Sequence, residues 1–277
     1  MISGKTTLIA HIGYPTESFK APMIYNPWFD KKGIDAVVVP MGVKPEDYVA
    51  FLPLLFRMSN IRGALVTMPH KVTTMSLVHE TTPTARIAGA CNAVLLREDG
   101  TLLGDQFDGA GFVRGVERKG RSFRGARVLV SGAGGVGCAI AASIAAAGAA
   151  HLSLFDLNTD SVEGLAQRLR AHYPQLTVST GSKDPAGYDV IVNATPLGMK
   201  ESDPLPFDVE RIAPTTFVGE VVMKTEYTPL LKAAMARGCQ VQVGTDMLFE
   251  MIPAYLEFFG FGTATADELR ESATLKY

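Results

Sequence analysis

Three glycines, Gly132, Gly134 and Gly137, have the G-x-G-x-x-G spacing of a turn that holds the pyrophosphate of a dinucleotide. The first glycine allows a tight turn, the second lets the backbone approach the pyrophosphate, and the third lets helix and strand pack closely. An apolar run at 127–131 predicts the preceding strand, and an alanine-rich run predicts a helix whose N-terminal N–H groups face the phosphates. The predicted cofactor-binding loop therefore comprises Gly132, Ala133, Gly134, Gly135, Val136 and Gly137.

Asp156 ends the next predicted strand, where an acidic residue binds the adenosine ribose of a dinucleotide. A carboxylate accepts hydrogen bonds from both ribose hydroxyls of NAD and repels the additional phosphate of NADP. No lysine or arginine follows Asp156 before Arg168. We therefore predict that NAD is preferred and that NADP is possible. The alternatives are a glycine-rich turn without a ligand and an Asp156 that only caps the following helix.

Two side chains could handle a hydroxyl proton during hydride transfer to a nicotinamide. Lys71 follows an apolar strand at its carboxyl end, where open α/β sheets bind ligands. Asp108 lies in a polar turn flanked by glycine, and a lysine–aspartate pair can bind a hydroxyl and pass on its proton. From spacing alone, a solvent-exposed lysine and an aspartate that caps a helix are the better explanations. Asn92 alone is likewise better explained as a turn residue.

Alternating strands and helices predict parallel sheets covered on both faces. The first strands are expected at 6–12, 35–40 and 63–67, and the pair Asp99-Gly100 predicts a hairpin. A second series of strands surrounds the glycine loop and closes at Gly244. The apolar helix at 247–259 has no strand of its own, so we expect it to pack on the first domain.

Composition limits the possible functions. The chain has 277 residues, enough for one large or two modest domains, and its net charge of -2 gives no electrostatic basis for binding nucleic acid or an acidic membrane. Its start does not resemble a signal peptide, and no apolar stretch is long enough to span a bilayer. Cys91, Cys138 and Cys239 are scattered and predict reduced thiols in a cytoplasmic protein, and no metal-ligand spacing is present.

Several segments taken together resemble the shikimate dehydrogenase family, which includes quinate/shikimate dehydrogenases. Residues 66–71 (V-T-M-P-H-K) resemble its V-T-x-P-x-K motif, and 89–93 (G-A-C-N-A) resemble its G-A-V-N-T segment. Residues 99–111 resemble D-G-x-x-x-G-x-N-T-D-G-x-G. The glycine loop and the segments 193–199, 228–231 and 244–248 follow in family order, so the resemblance covers nearly the whole chain.

The resemblance implies an α/β fold with two domains and a cleft between them. Residues 1–106, completed by 246–277, would bind the substrate, and 107–245 would form a Rossmann domain. The implied activity is reversible oxidation of a ring hydroxyl of shikimate, giving 3-dehydroshikimate, by a member that diverges from the core type of aromatic amino acid biosynthesis. Quinate or aminoshikimate dehydrogenase is an alternative. A non-catalytic dinucleotide sensor is an alternative of another class, but it would need neither Lys71 nor Asp108. We expect a monomer or homodimer whose partner is a small cyclic polyol carboxylate.

The resemblance also assigns residues. Lys71 and Asp108 would form the catalytic pair, and the substrate hydroxyls would be held by Thr67 and Asn92, with Gln106 beside them. Further residues implied at the cofactor are Thr195, Val221 and Gly244.

Four departures concern the substrate carboxylate and its surroundings. The S-x-S-P segment of the family is 19–22 (F-K-A-P) here, its tyrosine is Met223, its late glutamine is Met251, and the N-T before the aspartate is 106–107 (Q-F). Hydroxyl handling is therefore kept while carboxylate binding is rebuilt. Ser18, Lys20, Tyr25 and Thr16 are the nearby candidates for replacement, and an ordinary surface role for Lys20 is the alternative.

Overall fold

The structure is a computed structural model that describes residues 2–275, and these form two compact units. The first unit contains residues 2–107 and 251–275, and the second contains residues 108–250. The chain passes from one to the other after Phe107 and returns after Glu250. The second crossing was expected at 246. It lies later because one continuous helix begins in the second unit and ends in the first.

The elements alternate along the chain as the sequence predicts. The strands are β1 (Thr7–Gly13), β2 (Ala36–Gly42), β3 (Ile61–Val66), β4 (Glu80–Thr81), β5 (Ala93–Leu96), β6 (Leu102–Asp105), β7 (Arg127–Ser131), β8 (His151–Phe155), β9 (Thr177–Thr180), β10 (Val190–Asn193), β11 (Phe217–Glu220) and β12 (Val241–Gln242). The helices are α1 (Pro22–Lys32), α2 (Pro45–Leu55), α3 (Pro83–Ala88), α4 (Asp108–Arg118), α5 (Gly135–Ala146), α6 (Thr159–His172), α7 (Pro229–Ala236), α8 (Gly244–Phe259) and α9 (Ala266–Ser272), with 3-10 helices at Thr73–Ser76 and Val209–Arg211.

The first unit contains a mixed sheet in the order β2-β1-β3-β5-β6-β4. β1 lies parallel to β2 and β3, so their carboxyl ends meet at one edge. The hairpin predicted at Asp99-Gly100 joins β5 and β6, which makes this part of the sheet antiparallel rather than parallel throughout. Phe259 of α8 packs against Gly63 of β3, which places the end of α8 in the first unit.

The second unit is a doubly wound parallel sheet in the order β12-β11-β10-β7-β8-β9. Its central strand β10 is buried along its whole length, which is typical of a parallel sheet covered on both faces. The predicted α/β class is confirmed. Within residues 2–275, no helix combines the length and apolar character that a bilayer crossing needs.

Candidate active site

The glycine loop between β7 and α5 requires glycine at two positions and is open at a third. Gly132 has a φ of 108°, and a Cβ there would lie 2.6 Å from the carbonyl oxygen of Ala194. A Cβ on Gly137 would overlap the carbonyl oxygen of Gly132. Gly134 is exposed, with no atom within 4 Å of such a Cβ. The loop therefore packs tightly on its sheet side and leaves room for a pyrophosphate at Gly134, so these residues fit a dinucleotide.

Asp156 is tied to this loop. Its Oδ2 accepts a hydrogen bond from the N–H of Ala133 at 2.7 Å, and its Oδ1 accepts one from the N–H of Asn158 at 2.9 Å. Asn158 is itself the cap of α6, since its side chain accepts a hydrogen bond from the N–H of Ser161. The capping role considered for Asp156 thus belongs to Asn158. A carboxylate oxygen can accept more than one hydrogen bond, so Asp156 retains capacity for ribose hydroxyls.

Arg168 extends from α6 toward the first turn of α5. Its guanidinium hydrogen-bonds the thiol of Cys138, and its Nη1 lies 3.5 Å from the place where a side chain at Gly164 would begin. The thiol of Cys138 also donates to the carbonyl of Ala133 at 3.2 Å. Burial raises the pKa of this thiol, and Arg168 opposes that rise. A cation therefore lies near the glycine loop, which sequence reasoning missed because Arg168 is far from Asp156 along the chain.

Glu220 organises the end of β11 and had no predicted role in the site. Its buried carboxylate accepts hydrogen bonds from Asn193 Nδ2 at 2.8 Å and from Thr228 Oγ1 at 2.9 Å. The backbone N–H groups of Val221 and Val222 also donate to it. Burial nevertheless raises the pKa of Glu220 to about 7. The available signal was a carboxylate directly after an apolar strand.

The other residues implied at the cofactor lie around the same strand ends. Thr195 Oγ1 donates to Asn193 Oδ1 at 2.6 Å. A Cβ on Gly244 would lie 2.9 Å from the carbonyl carbon of Val221. The segments after β10 and β11 and the start of α8 are therefore in contact. Their role at a cofactor stays a prediction.

The titration of Glu220 predicts a pH-dependent stability. Its pKa rises from 4.5 in the unfolded chain to about 7 in the fold, so this contribution to stability is complete below pH 4.5 and lost as the pH rises to about 7. The full difference corresponds to about 3 kcal/mol. We expect the free energy of unfolding of the wild type to fall relative to that of Glu220→Gln across this window, measured by urea denaturation. Glu226→Gln, an exposed change in the same loop, is the control, and parallel pH profiles for wild type and Glu220→Gln would contradict the prediction.

In the first unit, Lys71 is held in place after β3 by its neighbours. His70 Nε2 hydrogen-bonds the carbonyl of Val43 at 2.8 Å, and its ring stacks on Tyr48 at 3.9 Å. The carbonyl of Lys71 accepts the N–H of Cys91 at 2.9 Å. Lys71 is only 7% exposed. The alternative of a solvent-exposed lysine is therefore wrong.

Asn92 presents a buried donor beside this segment. Its Oδ1 accepts the N–H of Phe107 at 2.9 Å, and its carbonyl accepts the N–H of Val66 at 2.7 Å and the hydroxyl of Tyr255 at 3.2 Å. Its Nδ2 is buried and has no acceptor among residues 2–275. A buried amide donor without a partner costs free energy, so it is a natural contact for a ligand hydroxyl. The interpretation of Asn92 as an ordinary turn residue leaves this donor unexplained.

The remaining predicted residues lie in both units. Thr67 is half-buried at the end of β3, and its N–H donates to the carbonyl of Ile12 at 2.8 Å. Gln106 is buried beside Asp105. Asp108 is buried and begins α4 of the second unit, where a carboxylate also favours the helix N-terminus. The first unit thus brings Thr67 and Lys71 to one edge, and the pairing of Lys71 with Asp108 stays a prediction.

The segment between β1 and α1 carries the predicted replacements for carboxylate binding. Ser18 is exposed and Lys20 is half-buried. Phe19, between them, stacks on the ring of His11 with a centroid distance of 4.0 Å. Burial, with the charge of Lys71, lowers the pKa of His11 to about 3, so this imidazole is neutral at physiological pH. The structure therefore places an uncharged aromatic pair here.

Comparison with known proteins gives one family match. Residues 11–94 match the family model described as the shikimate dehydrogenase substrate binding domain. A shikimate dehydrogenase (NADP(+)) of Rubrobacter xylanophilus is 37% identical over 251 residues, 89% of this chain and 88% of the relative. A shikimate dehydrogenase (NADP(+)) of Rhodospirillum rubrum is 34% identical over 280 residues, 98% of each chain.

Two solved structures resemble the whole chain. The 5-ketofructose reductase of Gluconobacter sp. strain CHM43 has a TM-score of 0.86 and 26% identity, covering 98% of both chains. The shikimate 5-dehydrogenase of Listeria monocytogenes, in complex with shikimate and NAD, has a TM-score of 0.88 and 27% identity, covering 98% of this chain and 97% of that one.

Proposed function

Because the chain belongs to the shikimate dehydrogenase family, we propose that it transfers hydride reversibly between a nicotinamide cofactor and a ring hydroxyl of shikimate or a close relative such as quinate or aminoshikimate. The family predicted from the sequence is confirmed, and with it an NAD(P)-dependent oxidoreductase. The observation that carries the proposed reaction is the edge of the first unit where Lys71 is buried and Asn92 holds a donor without a partner.

We assign substrate binding to the first unit and cofactor binding to the second. The first assignment is supported by the substrate-domain match over residues 11–94, all of which lie in the first unit. The second is supported by the glycine loop, the exposed Gly134 and the tethered Asp156. The substrate is then a small cyclic polyol.

Each side chain has a distinct role in the proposed oxidation. The nicotinamide, when bound, accepts the hydride from the carbinol carbon. Asn92 Nδ2 and the hydroxyl of Thr67 bind substrate hydroxyls and fix the ring. Lys71 takes the proton of the reacting hydroxyl as the C–H bond breaks and the carbonyl forms, and it passes one of its own ammonium protons to the carboxylate of Asp108 in the same transfer. In the reverse direction Lys71 returns the proton to the alkoxide.

A substrate panel crossed with both cofactors tests this function. Shikimate and quinate are each incubated with NAD and with NADP, and formation of the reduced nicotinamide is followed by its absorbance. Cofactor binding is measured in parallel by fluorescence. We expect turnover with at least one acid. Tight cofactor binding with no turnover of any acid or neutral polyol would instead favour the dinucleotide sensor.

We further propose that this chain prefers NAD over NADP, although its relatives are named for NADP(+). The support is Asp156, because its carboxylate is fixed against the glycine loop and would face a negatively charged 2′-phosphate. Arg168 is the nearby cation that would bind such a phosphate. We therefore assign the residual use of NADP to Arg168.

The expected preference is at least about tenfold in kcat/KM, equivalent to about 1.4 kcal/mol. Asp156→Ala should reduce the preference for NAD, because it removes the repulsion between the carboxylate and the 2′-phosphate of NADP. Adding Arg168→Ala to that variant should weaken NADP binding again and leave NAD binding unchanged. Arg170→Ala is the matched control, since Arg170 lies on the same helix and contacts the carbonyl of Val178. Fluorescence titration gives the dissociation constants of both reduced cofactors, and these are compared between the wild type and each variant. A wild-type preference for NADP would reverse the assignment of Asp156.

A further inference from the structure

The substrate edge of the first unit has an uncharged aromatic side. The rings of Phe19 and His11 are stacked with an interplanar angle of 26°. A Cβ placed on Gly13 would lie 2.9 Å from Phe19 Cζ and would also overlap the methyl of Thr67. Phe19 therefore lies directly over the end of β1, next to Thr67, the residue that follows β3. We call the stacked pair of Phe19 and His11 the aromatic wall.

The aromatic wall carries no charge in the working pH range. His11 is buried, and both this burial and the positive charge of Lys71 keep its pKa near 3. The side chain of Phe19 offers no hydrogen-bond donor. A carboxylate placed against this wall would lose water and meet no positive charge in it, since the neutral imidazole of His11 has a single N–H, whereas the C–H face of a polyol gains apolar contact.

The ends of the neighbouring strands carry polar groups instead of aromatic rings. Asn92 Nδ2 is a buried neutral donor, and Thr67 adds a hydroxyl that both donates and accepts. Lys71 supplies the positive charge next to His11. These groups suit hydroxyls and one reacting oxygen. The edge is therefore polar on one side and aromatic on the other.

We propose that this edge takes a polyhydroxylated ring or ketone that carries no carboxylate, and that the enzyme turns over such a neutral substrate more efficiently than the corresponding acid. The proposal rests on the hydride transfer proposed above and names its substrate class. A neutral polyol presents hydroxyls to Asn92 and Thr67 and a C–H face to the aromatic wall. An acid must place its charge against a surface that does not solvate it.

The chemistry is unchanged and balances. In oxidation the C–H bond at the carbinol carbon breaks, and its electron pair passes as hydride to the oxidised nicotinamide. The O–H proton passes to Lys71, which gives one of its ammonium protons to the carboxylate of Asp108, and the carbon–oxygen bond becomes a carbonyl. In reduction the same hydride and proton return. The carboxylate takes no part in either direction, so its absence affects recognition alone.

Shikimate and methyl shikimate provide a matched test, because they share the ring hydroxyls and differ in the charge at one end. We expect kcat/KM for the ester to exceed that for the acid by at least about tenfold in the wild type, mainly through KM. Neutral probes are myo-inositol and D-fructose with the oxidised cofactor, and 5-keto-D-fructose with the reduced cofactor. Equal or better use of the acid would overturn the proposal. Absence of turnover with every substrate, despite cofactor binding, would instead overturn the proposed function.

Variants locate the cause of the preference. Phe19→Ser should shift the ester-to-acid ratio toward the acid by about tenfold, whereas Phe19→Leu should keep the ratio because it keeps an apolar surface. Tyr14→Ser is the control, an exposed change in the same loop. An unchanged ratio in a folded Phe19→Ser variant would overturn the role of the aromatic wall. A wild-type preference for the acid that Lys20→Ala abolishes would overturn the proposal as well and assign the carboxylate to Lys20.

Discussion

Replacing Lys71 with alanine is expected to reduce kcat by about 10²–10⁴, because positioned proton transfer contributes about that much to catalysis. Lys71 is buried in the segment after β3, and its carbonyl accepts the N–H of Cys91 at 2.9 Å. The substrate dissociation constant should change less than kcat. Steady-state kinetics gives kcat, and a substrate-binding isotherm gives the dissociation constant.

Two comparisons guard this prediction against a loss of folding. Lys44→Ala removes an exposed lysine from the same unit and should leave kcat unchanged. Lys71→Met keeps the length of the side chain without its charge and should be as inactive as Lys71→Ala. Removing the charge should also raise the pKa of His11, which NMR titration can follow, since Lys71 helps to lower it. A kcat near that of the wild type in either Lys71 variant would exclude the lysine as the proton acceptor.

The substitution Gly137→Ala is expected to disrupt the cofactor site from within. Its methyl group would overlap the carbonyl oxygen of Gly132, a backbone atom that cannot move without shifting the loop. We expect a destabilisation of about 1–3 kcal/mol or more, the usual cost of overpacking, together with loss of cofactor binding. Urea denaturation and fluorescence titration with the reduced cofactor measure the two effects.

Gly134→Ala is the matched variant that separates folding from binding. Gly134 is exposed, has an ordinary φ of -77° and would meet no atom within 4 Å, so an alanine there should not destabilise the fold. It should still weaken cofactor binding by about tenfold or more, because the methyl group would stand where the pyrophosphate approaches. Unchanged cofactor binding by Gly134→Ala would show that no phosphate passes close to this residue.

Much of the fold could be predicted because its determinants are local. The start of α1 at Pro22 and the hairpin after β5 depend on residues within one turn. β9 could not be predicted, since Thr177–Thr180 has a single apolar residue and owes its conformation to pairing with β8. α9 is short and depends on the capping box of Thr265 and Glu268.

The part of the candidate site that could be predicted consists of side chains that follow the ends of predicted strands. Lys71 and Asp156 follow apolar strands, which is a local signal. Burial raises the pKa of Glu220, and this burial depends on the fold around β11, including Asn193 at a separation of 27 residues, so the raised pKa could not be anticipated. The stacking of Phe19 on His11 was equally hidden.

Transfer of an isotope label tests the central claim of hydride transfer most directly. Shikimate or its methyl ester, deuterated at the ring carbon that bears the reacting hydroxyl, is incubated with oxidised cofactor and the wild-type protein. We predict that deuterium is recovered in the nicotinamide ring, by NMR and mass spectrometry, and that Lys71→Ala slows this transfer by about 10²–10⁴. Recovery of unlabelled nicotinamide, with cofactor and substrate both shown to bind, would contradict it.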